Sequence, residues 1–588
     1  MKRNLILSAV MAVIMIIFGV STHAAAGPER SDFSNPKDGD VDGRDLYNFL
    51  SEYSTGYTPG SPGDIDGDED IDSDDVALFA GAFGTTYSTS AAKPNILLII
   101  ADDIGIDVST DLYPSLIEEL EFMYGTDDIS GKPASMPQVT DRIARQGMVF
   151  NNAWAQPSCS PTRAAMITGL YGKKTGVTSA GIAMSSNHIT FVQKLKEAGY
   201  STAAFGKWHL AGSSMPYAAT LPLAAGFELF KGHVDGAIED YWDYNYDVQD
   251  DPDHPTEFIR VKPVPEAKSL PGIVSTTYAP VVKGWDVIDW INAKEDANPD
   301  KPWLVWLAFN EAHWDWEGYN LHVPNGDTIG CDPMDETQDS PLCQEVKACG
   351  GVPGSNNNGL CENKVLVRAM TTAMDTVVGK ILDAVYERDP NTYVIFIGDN
   401  GTEAGSIDNM YLHTSGRGKG TAYESGARVA MAIRGPNIEA GGQSVEFVHV
   451  ADLFNTCLEI GGLSPMTQNI DKNGATVDSD SVSFASILFS NDPLVTFVRD
   501  PYTHYIITEN GSTAGTRNGT YKVICKSSWM GGKTWEFYNL IDDPLEETLL
   551  DTSSADCSNY DLDYTHSQWQ WNYCRLREVI ETESILSP

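Results

Sequence analysis

Residues 95–103 read Asn-Ile-Leu-Leu-Ile-Ile-Ala-Asp-Asp, and this stretch decides the fold of the main domain. Its consecutive branched aliphatic residues, Ile96 to Ile100, predict a strand that is buried on both faces, as in a parallel sheet. Ligands of such sheets bind beyond the carboxyl ends of the strands. Asp102 and Asp103 follow the strand directly, so they are metal-ligand candidates, although a pair of acids alone could equally form a turn or a helix cap.

A second stretch repeats this arrangement. Residues 393–401 read Tyr-Val-Ile-Phe-Ile-Gly-Asp-Asn-Gly, a hydrophobic strand followed by Asp399 and Asn400. An isolated Asp-Asn-Gly would be interpreted as a turn. Two strands that deliver carboxylate and amide oxygens to one sheet edge instead favour a site for calcium or magnesium.

Other predicted strands also end in residues that can carry chemistry. The strands at 200–205 and 303–309 are followed by Gly-Lys-Trp-His and Asn-Glu-Ala-His, and a glycine-rich segment at 416–421 follows the Asp-Asn strand. A lysine or histidine at one strand end is usually a surface residue, but several in succession indicate a shared site. The residues concerned are Lys207, His209, His313 and Lys419. Helices are predicted at 191–199, 365–385 and 567–582.

Residues 159–163, Cys-Ser-Pro-Thr-Arg, precede a small and apolar run that ends at Gly169. Proline suits the first turn of a helix, and the following Ala-Ala-Met-Ile would continue that helix. Cys159 is therefore predicted at a helix N-terminus, where backbone N–H groups and the helix dipole favour an anion. The alternative is a buried cysteine before an ordinary helix.

These motifs together resemble a type I sulfatase of the alkaline-phosphatase-like superfamily, over residues 93–550. The signature Cys-x-Pro-x-Arg with a following Thr-Gly matches residues 159–169, and Thr162 stands where serine or alanine is commoner. Weaker landmarks of the family match Met136-Pro137, Met374-Asp375, residues 424–428 and residues 537–540. The resemblance implies a metal bound by Asp102, Asp103, Cys159, Asp399 and Asn400. It also implies sulfate binding by Lys207 and Lys419, support of the nucleophile by Arg163, and proton transfer by His209 and His313.

The resemblance further implies a covalent modification. In this family the signature cysteine is oxidised to Cα-formylglycine (3-oxoalanine), so Cys159 would be the target of a formylglycine-generating maturation enzyme. A hydroxyl of the hydrated aldehyde would attack the sulfur of a sulfate ester, and calcium, with magnesium as the alternative, would offset the developing charge. His313 with Lys419 would protonate the leaving alcohol, and His209 would accept the proton released when the aldehyde is restored.

The implied fold is an α/β/α sandwich with a mostly parallel central sheet over 93–490. A small antiparallel subdomain is expected over 491–588, where short aromatic and β-branched runs alternate with turns. The implied substrate is a sulfated polysaccharide or oligosaccharide. The alternatives are a phosphodiester or phosphonate monoester hydrolase of the same superfamily, and a binding or scaffold protein with an inert site. Trp314, Trp316 and the aromatic run 240–246 could stack on a sugar or only pack in the core.

The beginning of the chain has a different character. Residues 1–26 combine two basic residues, an apolar run and three alanines, which predicts a cleaved secretory signal rather than an uncleaved membrane anchor. No other stretch is apolar enough to cross a bilayer. We therefore expect a secreted or periplasmic protein that has no membrane partner after cleavage.

An acidic segment at 31–86 resembles a dockerin-type module, and a short linker at 87–92 follows it. Residues 64–75 fit an EF-hand-type calcium loop. Its predicted ligands are Asp64, Asp66, Asp68, Asp70 and Asp75. An earlier copy has Ser34 and Pro36 at its first two ligand positions, so one good calcium site is expected. The resemblance implies a cohesin-like docking partner, and the alternatives are a calcium-stabilised spacer and a solvated acidic linker.

Charge and cysteine content limit the remaining options. The formal net charge of −43 argues against nucleic acid as a partner. Nine cysteines leave eight after Cys159, an even number that an oxidising compartment could pair. Four of them lie between 331 and 361, where disulfides are favoured over zinc because no C-x-x-C pair and no histidine occurs there. Cys557 and Cys574 form another plausible pair, which leaves Cys457 and Cys525.

Overall fold

The computed structural model describes Phe49 and the greater part of the chain from Lys93 onward. The described ranges are 93–114, 118, 132–212, 221–255, 257–261, 267–315, 321–356, 359–407, 417–489, 506–528, 532–557, 568–584 and 586. The chain divides into two compact units, Met1–Ala92 and Lys93–Pro588. Apart from Phe49, the predicted signal peptide, dockerin-like module and linker lie outside the described residues.

A sheet of ten strands forms the centre of the second unit, with the order β14-β2-β13-β12-β1-β9-β3-β4-β5-β6. These strands are β1 Asn95–Ala101, β2 Met148–Trp154, β3 Ser201–Lys207, β4 Leu229–His233, β5 Tyr246–Gln249, β6 Ile259–Val261, β9 Trp303–Ala308, β12 Thr392–Gly398, β13 Met431–Arg434 and β14 Gly442–His449. The central strands β12, β1, β9, β3 and β4 are all parallel to one another. Antiparallel neighbours occur towards the two edges.

Helices cover both faces of this sheet. They are α1 Pro137–Val139, α2 Cys159–Thr168, α3 Gly172–Thr175, α4 Phe191–Glu197, α5 Ala279–Ala297, α6 Pro341–Ala348, α7 Asn363–Arg388, α8 Glu424–Ala427, α9 Leu453–Ile460 and α10 Ala485–Phe489. A π-helical turn at Thr140–Ala144 continues α1, and 3-10 turns lie at Thr110–Leu112, Gly326–Thr328, Glu336–Gln338, Ala404–Ser406 and Val450–Asp452. Helices α2, α4 and α7 occupy segments that the sequence predicts as helical.

Strand β1 shows why the sheet is buried on both sides. Successive side chains of a strand point to opposite faces of the sheet, so an unbroken aliphatic run places apolar side chains on both faces. Leu97 and Ile99 join the core under α5 and α7, whereas Ile96, Leu98 and Ile100 join the core under α2, α4 and α9. The expected three-layer α/β architecture with a large, mostly parallel sheet is confirmed.

The last part of the chain forms the expected antiparallel sheet, with the order β17-β18-β19-β20. Its strands are β17 Ile506–Asn510, β18 Thr513–Arg517, β19 Tyr521–Ser527 and β20 Lys533–Asn539, and helix α11 spans Gln568–Glu583. Val523, Phe537 and Leu576 belong to the core between this sheet and α11. Three minor hairpins pair β7 Lys268–Leu270 with β8 Ile273–Thr276, β10 His322–Val323 with β11 Ser355–Asn356, and β15 Gln468–Ile470 with β16 Thr476–Asp478.

The cysteines follow the sequence analysis in part. Disulfides join Cys331 to Cys343, Cys349 to Cys361, and Cys557 to Cys574. The four clustered cysteines are therefore cross-linked, and the zinc alternative is wrong for them. The expectation that all eight could pair is also wrong, because Cys457 and Cys525 are buried free thiols. Both lie in hydrophobic cores, where a thiol packs as a small apolar side chain.

Among the helices of the described residues, none is both long and apolar enough to span a membrane.

Candidate active site

The sheet topology brings the predicted site residues to one edge. Strands β12, β1, β9 and β3 are neighbours and run parallel, so their carboxyl ends lie side by side. Asp399 and Asn400 follow β12, and Asp102 and Asp103 follow β1. The segment that leads to His313 follows β9, Lys207 is the last residue of β3, and His209 lies two residues further on. Residues from four separate parts of the sequence therefore meet at the position where parallel sheets bind ligands.

Three carboxylates and the cysteine form the centre of this site. Ligand atoms of Asp102, Asp103, Cys159 and Asp399 all lie within 4.8 Å of one another, and all four residues are buried. The backbone N–H of Asp103 donates to Asp399 Oδ1 (3.2 Å), and Asn400 Nδ2 donates to Asp103 Oδ1 (2.8 Å). Asn400 Oδ1 is buried and has no hydrogen-bond partner among the described residues. A hard cation with oxygen ligands fits this donor set, because it would use that amide oxygen together with the carboxylates.

Cys159 is the first residue of α2, as the sequence predicts, and Ser158 is its extended N-cap. Its Sγ lies 3.6 Å from Asp102 Oδ1 and 3.3 Å from Lys207 Nζ. Burial raises the pKa of the Cys159 thiol to about 12, although Lys207 and Lys419 oppose that shift. The thiol is therefore protonated at neutral pH, which is unfavourable for a thiolate nucleophile.

Three cationic side chains balance the three carboxylates. Arg163 is fully buried, and its Nε and Nη2 donate to Asp399 Oδ2 at 3.2 and 2.8 Å. Lys207 pairs with Asp102, and Lys419 Nζ lies 2.5 Å from Asp103 Oδ1. Arg163 Nη1 also donates to the carbonyl oxygen of Lys207 (2.7 Å), which joins α2 to the end of β3. Such a group of cations can bind a small, multiply charged oxyanion.

The carboxylates differ in their affinity for protons. Burial, with Asp399 and Asp103 nearby, raises the pKa of Asp102 to about 7. Burial alone would raise the pKa of Asp103 as well, but Lys419 and His313 outweigh it and hold that pKa below its usual value. The Asp103 carboxylate in turn outweighs burial at Lys419 and raises the pKa of that lysine well above its usual value. A divalent cation would favour the ionised form of Asp102, so the electrostatics of the site also fit a metal.

Both histidines are neutral at pH 7. Burial and the cation of Lys207 lower the pKa of His209 well below its usual value, and burial and Lys419 do the same for His313. His209 has a left-handed backbone (φ 60°), and its carbonyl oxygen accepts a hydrogen bond from Ser160 Oγ (2.8 Å). His313 Nδ1 lies 2.9 Å from the carbonyl oxygen of Trp314. Neutral imidazoles at these positions can accept protons.

Several supporting residues are not predicted by the sequence. Tyr241 Oη lies 2.7 Å from the carbonyl oxygens of both Asn310 and His313, and the buried Lys283 Nζ donates to Asn310 Oδ1 (2.7 Å). A Cβ on Gly236 would lie 2.2 Å from His209 Nε2. Gly236, Tyr241 and Lys283 are not adjacent to any recognisable strand-end motif, and among them only Tyr241 belongs to a segment that the sequence analysis singled out, the aromatic run 240–246.

That aromatic run packs inside the protein. Tyr241, Tyr244 and Tyr246 are buried in the core, and Trp242 stacks on Tyr278 with ring centroids 5.1 Å apart. The sugar-stacking interpretation is therefore wrong for these tyrosines, because no ring face is available to a ligand. Trp314 is half-buried beside His313, and Trp316 lies outside the described residues.

The weaker landmarks have structural roles. The Asp375 carboxylate accepts hydrogen bonds from the N–H groups of Gln138 (3.0 Å) and Val139 (2.8 Å), which ties α7 to the turn after Met136-Pro137. Glu424 binds Arg517 Nη1 (2.7 Å) and Lys522 Nζ (2.8 Å) of the C-terminal sheet. A Cβ on Gly401 would lie 1.8 Å from the carbonyl oxygen of Ser425, so the glycine of Asp-Asn-Gly lets the two segments approach.

Comparisons with known proteins agree with this geometry. A profile of the sulfatase family matches residues 94–463. A sulfatase from Formosa agariphila is 27% identical over 547 residues, which cover 82% of this chain and 88% of the relative. The N-acetylgalactosamine-6-sulfatase of the dog, Canis lupus familiaris, is 25% identical over 418 residues, 67% of each chain. The solved structure of PsFucS1 sulfatase from Pseudoalteromonas sp. has the same fold, with a TM-score of 0.55 at 18% identity over 83% of this chain and 89% of that one.

Proposed function

The chain belongs to the sulfatase family and is a sulfuric ester hydrolase, and on that premise we propose that it is exported and removes sulfate from a sulfated polysaccharide or oligosaccharide. The observation that carries this proposal is the convergence of Asp102, Asp103, Asp399, Arg163 and Lys207 around Cys159 at one sheet edge. A site with balanced buried charges fits a small anionic ester group better than an uncharged bond.

We infer that Cys159 acts after oxidation to formylglycine. The hydrated aldehyde would supply a hydroxyl nucleophile at the N-terminus of α2. The protonated state of the unmodified thiol supports this inference, because burial raises its pKa to about 12. Arg163 and Lys207 hold the surrounding groups: Arg163 orients Asp399, and Lys207 contacts both Asp102 and Cys159.

We infer that Asp102, Asp103, Asp399 and Asn400 hold a calcium ion, with magnesium as the alternative. The ion would neutralise charge on the nucleophile and on the sulfate group. The unsatisfied amide oxygen of Asn400 and the raised pKa of Asp102 support an ion at this position. The oxygen-rich donor set favours a hard cation over a softer one.

The remaining side chains suit binding and proton transfer. Lys207 pairs with Asp102 and Lys419 pairs with Asp103, and both lysines would bind sulfate oxygens. His313 would protonate the leaving alcohol with the help of Lys419, and the negative charge of a bound sulfate would raise the low pKa of this histidine towards the working range. The pKa of His209 lies well below its usual value, so the neutral imidazole suits the role of proton acceptor.

A carbohydrate substrate is the conclusion that fits the chain best. The dog relative is named for a sulfated amino sugar, N-acetylgalactosamine 6-sulfate. Residues 1–26 favour export, and residues 31–86 resemble a calcium-binding dockerin-type module of the kind that docks on a cohesin-like partner. We propose that Asp64, Asp66, Asp68, Asp70 and Asp75 of that module bind calcium.

The test compares two esters of one chromogenic alcohol, a sulfate and a phosphodiester, through kcat/KM. We expect the sulfate to be the better substrate, and we expect Cys159→Ala and Asp399→Asn to abolish its turnover. Cys457→Ala is the matched control, because Cys457 is a buried free cysteine of helix α9 and lies outside the site. A preference for the phosphodiester, or full activity in Cys159→Ala, would contradict the proposal.

A further inference from the structure

We propose that Asp240, Asp315 and His322 form a second divalent-metal site, which takes a zinc-class transition ion and is distinct from the carboxylate cluster around Cys159. One ligand atom from each of these residues lies within 4.8 Å of the other two. The three residues come from a turn after β4, from the segment after His313, and from β10. A metal at this position would join three separate parts of the chain.

The distance between two of the ligands fits a shared ion. His322 Nε2 and Asp315 Oδ2 are 3.3 Å apart. A charge-assisted hydrogen bond between these groups would be shorter, about 2.7–2.9 Å. Two ligands bound tetrahedrally at ~2.1 Å from one zinc ion are separated by roughly 3.4 Å. The observed spacing therefore fits two ligands of one tetrahedral ion.

Burial and charge point the same way. His322 is fully buried and Asp315 is only 5% exposed. The buried carboxylate of Glu311 is close enough for His322 to influence its pKa. Two carboxylates beside one imidazole concentrate negative charge where His322 and Asp315 are largely removed from water. One divalent cation neutralises this charge.

The surrounding residues hold the ligands in place. The ring of Tyr241 meets the His322 imidazole edge-on at 4.6 Å between centroids, and Trp242 does so at 5.4 Å. Asp240 Oδ1 accepts hydrogen bonds from the backbone N–H groups of Trp242 (2.7 Å) and Asp243 (3.1 Å), which orients its carboxylate. A preformed ligand shell of this kind is typical of metal sites rather than of mobile surface pairs.

The ligand types identify the class of ion. One imidazole nitrogen and two carboxylate oxygens suit zinc or a neighbouring transition metal, with water as a fourth ligand, whereas calcium prefers oxygen ligands only. Asp315 is two residues from His313, and Tyr241 touches the carbonyl oxygen of His313. The ion would therefore stabilise the segment that carries His313 without contacting the reacting group.

The test uses the full-length protein, freed of transition metals and saturated with calcium, and titrates it with Co²⁺. We expect one equivalent of Co²⁺ to produce visible absorption bands, and we expect this equivalent to be lost in Asp240→Asn and in His322→Asn. His254→Asn is the matched control, since it removes an exposed histidine that pairs with Asp251 (2.8 Å). This control should bind Co²⁺ like the parent protein.

Equal Co²⁺ stoichiometry and equal spectra in the parent, Asp240→Asn and His322→Asn would overturn the proposal. Asp240 is only half-buried, so its variant decides the question even where loss of the buried imidazole impairs folding. Co²⁺ binding that is lost in Cys159→Ala but retained in Asp240→Asn and His322→Asn would also contradict the proposal.

Discussion

Gly236 is a residue whose lack of a side chain determines where His209, the proposed proton acceptor, can lie. A Cβ at this position would meet His209 Nε2 at 2.2 Å, Cε1 at 2.4 Å and Cδ2 at 2.6 Å, so the whole edge of the imidazole rests on the glycine. The histidine itself has a constrained backbone (φ 60°), which leaves it little freedom to move aside. The position of His209 therefore depends on a residue 27 places further along the chain.

We predict that Gly236→Ala lowers kcat about 100-fold, because displacing a catalytic group by about 1 Å has effects of that order. The thermal midpoint should change little, since the residue lies at the site rather than in the centre of a core. Gly405→Ala is the control, because nothing lies within 4 Å of a Cβ at that position. Unchanged kcat in Gly236→Ala would show that His209 can relocate freely or has no role in turnover.

The sequence predicts the candidate active-site residues but not the residues that position them. Asp102, Asp399 and Cys159 each follow or begin a recognisable element, so pattern alone places them. Gly236 and Tyr241 lie in a loop without periodicity, and their roles depend on contacts made across the fold. The positioning residues act through contacts between segments that are distant in the sequence, and a sequence pattern does not record such contacts.

Glu424 shows how one helix joins the main sheet to the C-terminal sheet. It begins the short helix α8, and its carboxylate contacts Trp154 Nε1 of β2 (3.0 Å), Arg517 of β18 and Lys522 of β19. Burial alone would raise the pKa of Glu424, but Arg517 and Lys522 outweigh it and hold the pKa at about 2. Its carboxylate is therefore ionised in the folded protein across the physiological range.

This depressed pKa has a defined effect on stability. A glutamate in the unfolded chain has a pKa of about 4.3, so the charge of Glu424 stabilises the fold fully above about pH 5. The contribution is lost as pH falls from about 5 towards 2, where the folded-state carboxylate also takes up a proton. Acid should therefore weaken the junction between the two sheets.

We predict that Glu424→Gln lowers the free energy of unfolding by about 3 kcal/mol at pH 7, because it removes the carboxylate partner of the buried Arg517 and one of the two carboxylates that pair with the buried Lys522. The difference from the parent protein should shrink as pH falls from about 5 to 3. Urea unfolding followed at several pH values measures both effects. Glu439→Gln changes an exposed glutamate and should have no effect, and a pH-independent difference for Glu424→Gln would contradict the account.

At the scale of elements, hydrophobic pattern and strand-end chemistry predicted the central parallel strands of the main sheet and the helix that begins at Cys159. Strands β1, β3, β9 and β12 occupy the predicted aliphatic runs, and α2 begins at Cys159. Cysteine pairing was predicted less well, because counting cysteines cannot show that Cys457 and Cys525 lie in different cores. Pairing depends on tertiary distance, which a count does not contain.

At the scale of the whole molecule, one unit from Lys93 to Pro588 contains all of the proposed active-site residues. The wider arrangement follows from one constraint, since parallel strands buried on both faces place their carboxyl ends, and the polar residues after them, at a single edge. The signal peptide and the dockerin-like module remain predictions of the sequence.

The central claim is that Cys159 acts as formylglycine, and the most direct test is the mass of one peptide. Trypsin releases residues 146–163 from the protein made in its native host, and the mass should be measured on a preparation that hydrolyses a sulfate ester. Converting the thiol-bearing side chain to an aldehyde lowers the mass by about 18 Da. We predict this loss at Cys159, and an unmodified cysteine throughout a fully active preparation would contradict the account.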